Sequence, residues 1–100
     1  MHYVIVRTDL PKGIQAAQIV HAAGESSPGN LPEGTFAVVL AAPNEKALKT
    51  IARRLAEACI RFVPISEPDP PYCGQLMALG LVPKRKEELR RQLSSLPLLR

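Results

Sequence analysis

Residues 3–23 read YVIVRTDLPKGIQAAQIVHAA and decide the fold of this 100-residue chain. Residues 3–6 (YVIV) are a continuous apolar run, which is typical of a strand covered on both faces. Residues 7–13 (RTDLPKG) are a polar turn, and residues 14–23 (IQAAQIVHAA) predict an alanine-rich helix that Gly24 is well suited to end. Because open α/β sheets place ligand sites at the carboxyl ends of strands, beside helix amino termini, this unit is the expected site region.

The rest of the chain continues to alternate strands and helices. Residues 35–41 predict a second interior strand, and residues 61–65 predict a third whose proline places it at an edge or a bulge. An amphipathic helix is predicted after the capping residue Asn44, and a last helix from residue 84 to about 96. A fourth strand is predicted over residues 75–79, ended by Gly80 and Pro83. This order predicts an α/β fold, a three-layer α/β/α sandwich with a four-stranded mixed sheet.

The composition fits a single domain over residues 1–100, since 46% of the residues are hydrophobic and 22% are charged. No apolar run approaches the roughly 20 residues that span a bilayer, and no signal peptide precedes the first strand, so a cytoplasmic protein without a membrane partner is expected. Cys59 and Cys73 occur singly, which predicts free thiols. Small domains gain stability from self-association, so a homodimer is left open.

The charge is basic, with 13 Lys and Arg against 9 Asp and Glu and a formal net charge of +4. Many positive residues fall in residues 46–54 and 84–91. Four of them are Arg53, Arg54, Arg90 and Arg91. The balance favours an anionic partner such as nucleic acid, but two solvated helix faces explain it as well.

Six side chains that could take part in catalysis are expected near one edge of the sheet. They are Asp9, Lys12, Gln18, His21, Glu67 and Asp69. If the first and third strands run parallel, the turns after them open at the same edge and gather an imidazole, a lysine and carboxylates. His21 would act as a general base on water, Lys12 would stabilise an oxyanion or hold phosphate, and a carboxylate would fix the imidazole tautomer.

Each of these residues also has a structural interpretation. His21 would be a hydrogen-bonded core histidine, Gln18 would tie its helix to a neighbouring backbone group, and Asp9 would cap the turn or pair with Arg7. Lys12 would be a solvated charge.

The two acidic residues of the proline arm, residues 66–74 (SEPDPPYCG), would solvate that segment or cap its N–H groups. No ligand pair has metal spacing, so neither a metal nor a cofactor is expected. The chain has no glycine-rich phosphate loop, no nucleophile elbow and no aromatic platform, which excludes those classes of site.

Residues 7–10 (RTDL), Gly13, residues 16–18 (AAQ) and residues 21–22 (HA) resemble the opening motif of the type 2 peptidyl-tRNA hydrolases, the archaeal and eukaryotic kind. The order of elements is also similar to that family, whose fold is a mixed four-stranded sheet between helices. Members cleave the ester joining a stalled peptide to tRNA without a metal. The resemblance therefore implies an ester hydrolase with a basic surface that holds tRNA.

The chain departs from the family pattern at several places. The family usually has lysine directly after the motif glycine, where this chain has Ile14, so Lys12 would have to substitute. The turn before the helix is shorter here. The family's Asp-Ala-Gly-x-Thr-Gln block and its threonine-bearing strand are replaced by residues 67–71 (EPDPP) and 75–78 (QLMA). Glu67 or Asp69 would stand in for the family acid.

Three hypotheses follow. In the first, His21 and a carboxylate position water, Lys12 and Gln18 contact the ester, Arg7 and Asp9 lie in the substrate site, and the four helix arginines hold tRNA. In the second, the same fold is a catalytically inactive RNA- or protein-binding module. In the third, the chain hydrolyses a different small ester or amide.

Overall fold

A computed structural model describes all residues from Met1 to Arg100 and contains seven regular elements. They are β1 (His2–Arg7), α1 (Lys12–Ser26), β2 (Ala37–Ala42), α2 (Glu45–Glu57), β3 (Phe62–Glu67), β4 (Gln75–Leu81) and α3 (Lys86–Leu93). The strands form one mixed sheet in the order β2-β1-β4-β3. β1 runs parallel to β2, and β4 runs antiparallel to both β1 and β3. β1, β2 and β3 therefore point the same way. Their carboxyl ends at Arg7, Ala42 and Glu67 lie at one end of the sheet, which we call the carboxyl rim.

The helices cover both faces of this sheet. On one face Val4 and Val6 of β1 pack with Ala22 of α1. On the other face Ile5 packs in a cluster with residues of α2 and α3, including Leu48 and Leu89. Neighbouring side chains of a strand point to opposite faces. Because helices cover both faces of the sheet, every residue of β1 is buried, as its sequence predicts. The predicted α/β sandwich with a four-stranded mixed sheet is confirmed.

Two glycines lie inside elements that they were expected to end. α1 continues past Gly24 to Ser26, whose hydroxyl donates to the carbonyl oxygen of Ala22 at 2.7 Å. β4 continues through Gly80, where a Cβ atom would overlap that same carbonyl oxygen and approach the Ser26 hydroxyl. Gly80 therefore allows α1 to lie directly on the sheet, and it does not mark the end of the strand.

The edge strand β3 contains the proline that its sequence placed at an edge or a bulge. Pro64 lies within the strand, and the register with β4 shifts between Ile65 and Ser66. Proline has no N–H to donate, so it is accommodated on an edge strand, which has a neighbouring strand on one side only. This prediction is confirmed.

The opposite edge of the sheet is β2, so the prediction of an interior strand over residues 35–41 is wrong. This edge is partly covered by the C-terminal strap, residues 97–100. Leu98 forms an antiparallel bridge with Leu40 of β2. The Ala41 N–H donates to the Pro97 carbonyl and the Leu99 N–H donates to the Val39 carbonyl, both at 2.9 Å. The strap thus pairs with the carboxyl half of β2 and leads the chain from the α3 side of the sheet to the α1 side.

Substituting the two glycines of the α1–sheet contact should have opposite effects on stability. Gly80→Ala should destabilise the domain by about 1–3 kcal/mol, because the added methyl group overpacks the helix–sheet contact. Gly24→Ala should stabilise it by about 0.5–1 kcal/mol, because Gly24 is helical with open space at its Cβ position. Urea unfolding of both variants measures the difference, and effects of the same sign would contradict this packing.

The buried His2 should make stability depend on pH. Ser26 donates its hydroxyl proton to Ala22, so His2 Nε2 donates to Ser26 Oγ at 2.8 Å. Burial, and then the positive N-terminus, lower the pKa of His2 below its ordinary value. The stabilisation from neutral His2 is present above that ordinary value and is lost as pH falls through the lowered pKa. Thermal unfolding between pH 7 and 5 should show this loss, and His2→Gln should reduce it.

Candidate functional site

The guanidinium of Arg7 is the most extensively bonded side chain at the carboxyl rim. Nε and Nη2 donate to the two carboxylate oxygens of Asp9 at 2.9 and 3.0 Å. Nη1 donates to Gln75 Oε1 at 2.9 Å and to the Leu76 carbonyl at 3.1 Å. Arg7 is only 6% exposed, and the bond to Asp9 is the main cause that raises the pKa of Arg7. Asp9 therefore pairs with Arg7, which was one of its two structural interpretations.

Arg7 lies where the ladder between β1 and β4 stops. The last paired residues are Val6 and Ala78, and beyond them the backbone of Leu76 has no partner on β1. Arg7 supplies a donor for the Leu76 carbonyl, and Glu45 Oε2 accepts from the Leu76 N–H at 2.8 Å. Two charged side chains thus replace the missing strand hydrogen bonds.

Gln18 and Glu67 meet on the α1 side of the rim. Gln18 Nε2 donates to Glu67 Oε2 at 3.4 Å, and Glu67 Oε1 accepts from the Asp69 N–H at 3.2 Å. Gln18 is 5% exposed, and its own Oε1 is buried without any hydrogen-bond donor. Most buried polar atoms are hydrogen-bonded, so an unpaired amide oxygen beside a carboxylate is typical of a functional site. β1 and β3 run parallel, which was the condition for these residues to lie near the same end of the sheet.

His21 lies one helical turn after Gln18 on α1. Its ring is exposed and makes no hydrogen bond within the protein, so it is not a core histidine. Residues three apart on a helix are neighbours on its surface, roughly 5–6 Å apart at Cβ, which places His21 beside Gln18. Asp69 of the proline arm is also exposed, and its side chain has no hydrogen-bond partner.

Lys12 lies on a different side of α1 from His21. At 3.6 residues per turn, nine residues place the two side chains about 180° apart around the helix axis. Lys12 instead lines a cleft with Arg100 of the strap. Ile14, at the position where the family has lysine, lies on the His21 side, so the structure does not bring Lys12 to the position of that lysine.

The helix arginines lie on the other face of the sheet. Arg53, Arg54, Arg90 and Arg91 are all exposed. Arg54 and Arg91 line one cleft between α2 and α3, and Arg54 also lines a groove of about 600 Å³ that contains Thr8 and Pro97. This groove reaches the carboxyl rim at Thr8 and Ala42, and the Gln18–Glu67 pair lies at the same rim on the α1 side.

Three residues of the site were not found by sequence reasoning. Glu45 has its pKa lowered chiefly by the Leu76 N–H and also by Lys49. Gln75 bonds Arg7, and Tyr72 is close enough to raise the pKa of that arginine. The Glu45–Lys49 spacing gave a signal for their ion pair, whereas nothing in the sequence gave one for the bond to Leu76.

The structure contains no group of three His, Cys, Asp or Glu side chains arranged to hold a metal ion. Neither Cys59 nor Cys73 is in a disulfide, and both are exposed. None of the helices combines the length and apolar character required to cross a membrane.

Comparison with known proteins gives no further assignment. A scan against models of protein families finds no match to the chain, and a search of curated proteins finds no similar sequence. The functional interpretation therefore depends on the residues and their geometry.

Removing the charge of Asp9 should lower the free energy of unfolding at neutral pH. Asp9→Asn removes the negative charge and one of the two acceptor oxygens, so the buried guanidinium loses its counter-ion and its bidentate partner. The carboxylate is 39% exposed and partly screened by solvent, so the expected loss is about 1 kcal/mol.

This effect should disappear in acid. Bonding to Arg7 lowers the pKa of Asp9, so its stabilisation is present above the ordinary carboxyl value and is lost as pH falls through the lowered pKa. Urea unfolding at pH 7 and in strong acid measures both states. Asp69→Asn, which changes an exposed carboxylate without a side-chain partner, is the control and should leave stability nearly unchanged.

Proposed function

We propose that this chain is a peptidyl-tRNA hydrolase-like enzyme that cleaves the ester between a peptide, or an N-blocked amino acid, and tRNA. The reaction as proposed needs neither metal nor cofactor. A tRNA substrate implies a cytoplasmic location. All proposed site residues belong to one chain, so the chemistry does not require a homodimer.

The observation that carries this proposal is the position of Gln18. Its buried, unpaired Oε1 lies on the same helix face as the exposed His21, and its Nε2 faces Glu67. A water or substrate donor would satisfy the unpaired oxygen, while His21 would accept a proton from that water. Gln18 and His21 belong to the motif by which the sequence resembles the type 2 peptidyl-tRNA hydrolases.

The proposed step is attack of water on the ester carbonyl carbon. His21 removes a proton as the oxygen–carbon bond forms, and the resulting imidazolium returns it to the ribose oxygen as the ester bond breaks. Glu67 bonds Gln18, which lies one helical turn before His21, and its negative charge would favour the imidazolium that forms in this step. Arg7 and Asp9 act as positioning residues, because they hold the turn that leads into α1.

The basic face supports tRNA as the substrate. α2 and α3 carry seven lysines and arginines against four glutamates. Phosphate contacts from such a surface supply sequence-independent affinity for nucleic acid. The groove containing Arg54 extends this surface to the carboxyl rim.

A second function is favoured by one specific observation. Ile14 occupies the position of the family lysine, and Lys12 lies on another side of α1. If that lysine is indispensable for the chemistry, the chain is a catalytically inactive module that binds RNA through the same basic surface. A third function, hydrolysis of a different small ester or amide, has no observation that favours it over these two.

The purified protein should release the amino acid from N-blocked aminoacyl-tRNA. His21→Ala should lower kcat/KM by about 10²- to 10⁴-fold, the usual effect of removing a general base. Val20→Ala is the matched control, since Val20 is the neighbouring residue on α1 and is 72% exposed. It should retain full activity.

Two results would contradict the enzymatic proposal. Equal activity of His21→Ala and Val20→Ala would remove His21 from the mechanism. Absence of turnover in the unmodified protein, together with tRNA binding that weakens as salt rises, would establish the inactive RNA-binding module instead.

A further inference from the structure

A second cleft lies on the side of α1 away from His21. It has a volume of about 280 Å³. Its lining residues are Lys12, Gln15, Ala16, Ile19, Leu99 and Arg100. Two of them, Lys12 and Arg100, have cationic side chains, and none has an acidic side chain. Lys12 begins α1 and Arg100 belongs to the strap, so only the folded chain brings these two charges to one cleft.

The strap fixes the backbone that carries Arg100. The Leu99 N–H donates to the Val39 carbonyl at 2.9 Å, and the Leu99 side chain packs against the apolar cluster on the α1 face. Arg100 follows directly and is exposed. Its side chain therefore projects from an anchored residue at the wall of the cleft.

Neither cationic side chain is in an ion pair within the protein. The ion pairs of the structure are Arg7–Asp9 and Glu45–Lys49, and they include neither Lys12 nor Arg100. The first turn of α1 contains no acidic residue. Two positive charges at one cleft repel each other. An anion bound between them would attract both and so offset that repulsion.

We propose that Lys12 and Arg100 together bind one phosphate group of an RNA backbone. This inference rests on the proposed tRNA substrate. A guanidinium can bind two phosphate oxygens at once, and a lysine adds a point charge. Lys12 is about 14 Å along α1 from His21, so the bound phosphate is remote from the ester and serves to hold the RNA.

Binding of fluorescently labelled tRNA, measured by anisotropy over a series of salt concentrations, tests this site. One phosphate contact contributes about 0.7–0.9 to the slope of log affinity against log salt. The double variant Lys12→Gln/Arg100→Gln should lose about that amount, because its two cations share a single phosphate. Arg61→Gln is the matched control, an exposed arginine immediately before β3. It should leave the slope unchanged relative to the unmodified protein.

The kinetic readout should agree with the binding readout. Arg100→Gln should raise KM several-fold for N-blocked aminoacyl-tRNA and leave kcat unchanged, since a remote phosphate contact acts in binding. Its melting temperature should equal that of the unmodified protein, because the side chain is exposed.

The outcomes separate this inference from the proposed function. Turnover in the unmodified protein, with the double variant and Arg61→Gln binding alike, would overturn the phosphate site and leave the function intact. A reduced slope in the double variant without any turnover would support the site and remove the esterase. Unlabelled tRNA, inorganic phosphate and polyglutamate should also be compared as competitors for labelled tRNA. If phosphate or polyglutamate displaces it as effectively as unlabelled tRNA does, RNA is not the ligand.

Discussion

The guanidinium of Arg7 joins β1 to β4 at the point where their backbone hydrogen bonds end. A buried cation is costly unless its donors are satisfied, and here Asp9, Gln75 and the Leu76 carbonyl satisfy them. A buried ion pair gives little net stability over well-packed apolar residues, so its main consequence is geometric. Arg7 fixes the turn after β1 against β4, and α1 with its polar side chains starts directly after that turn.

Local sequence determines most of the architecture. The apolar run of β1 predicts a central strand, Asn44 caps α2 by accepting from the Ala47 N–H at 2.9 Å, and Pro64 marks an edge strand. Gly24 and Gly80 mislead because glycine has two roles: it can end an element, or it can allow two elements to lie close together. Only the position of α1 over the sheet distinguishes these roles, and a local pattern does not contain that information.

The site was predictable to the extent that it depends on strand direction. Since β1 and β3 run parallel, Gln18 and Glu67 had to approach the same rim, and the structure brings them within 3.4 Å. The bond from Leu76 to Glu45 depends on where the β1–β4 ladder stops, which periodicity does not specify. Lys12 lies about 180° from His21 around the axis of α1, so the two side chains are on opposite sides of the helix.

The strap connects the basic face to the proposed catalytic face. Pro97 lines the groove that contains Arg54, whereas Arg100, three residues later, lines the cleft that contains Lys12. Between them the strap crosses the β2 edge, held by two backbone hydrogen bonds. An RNA strand following this edge from the α2 side would meet Arg54, then the strap, then the cleft at the start of α1. β2 and β3 are the two edge strands of the sheet, and the strap pairs with β2. Under the proposed function, an RNA that passes between the two faces along the β2 edge would therefore contact both sets of cations.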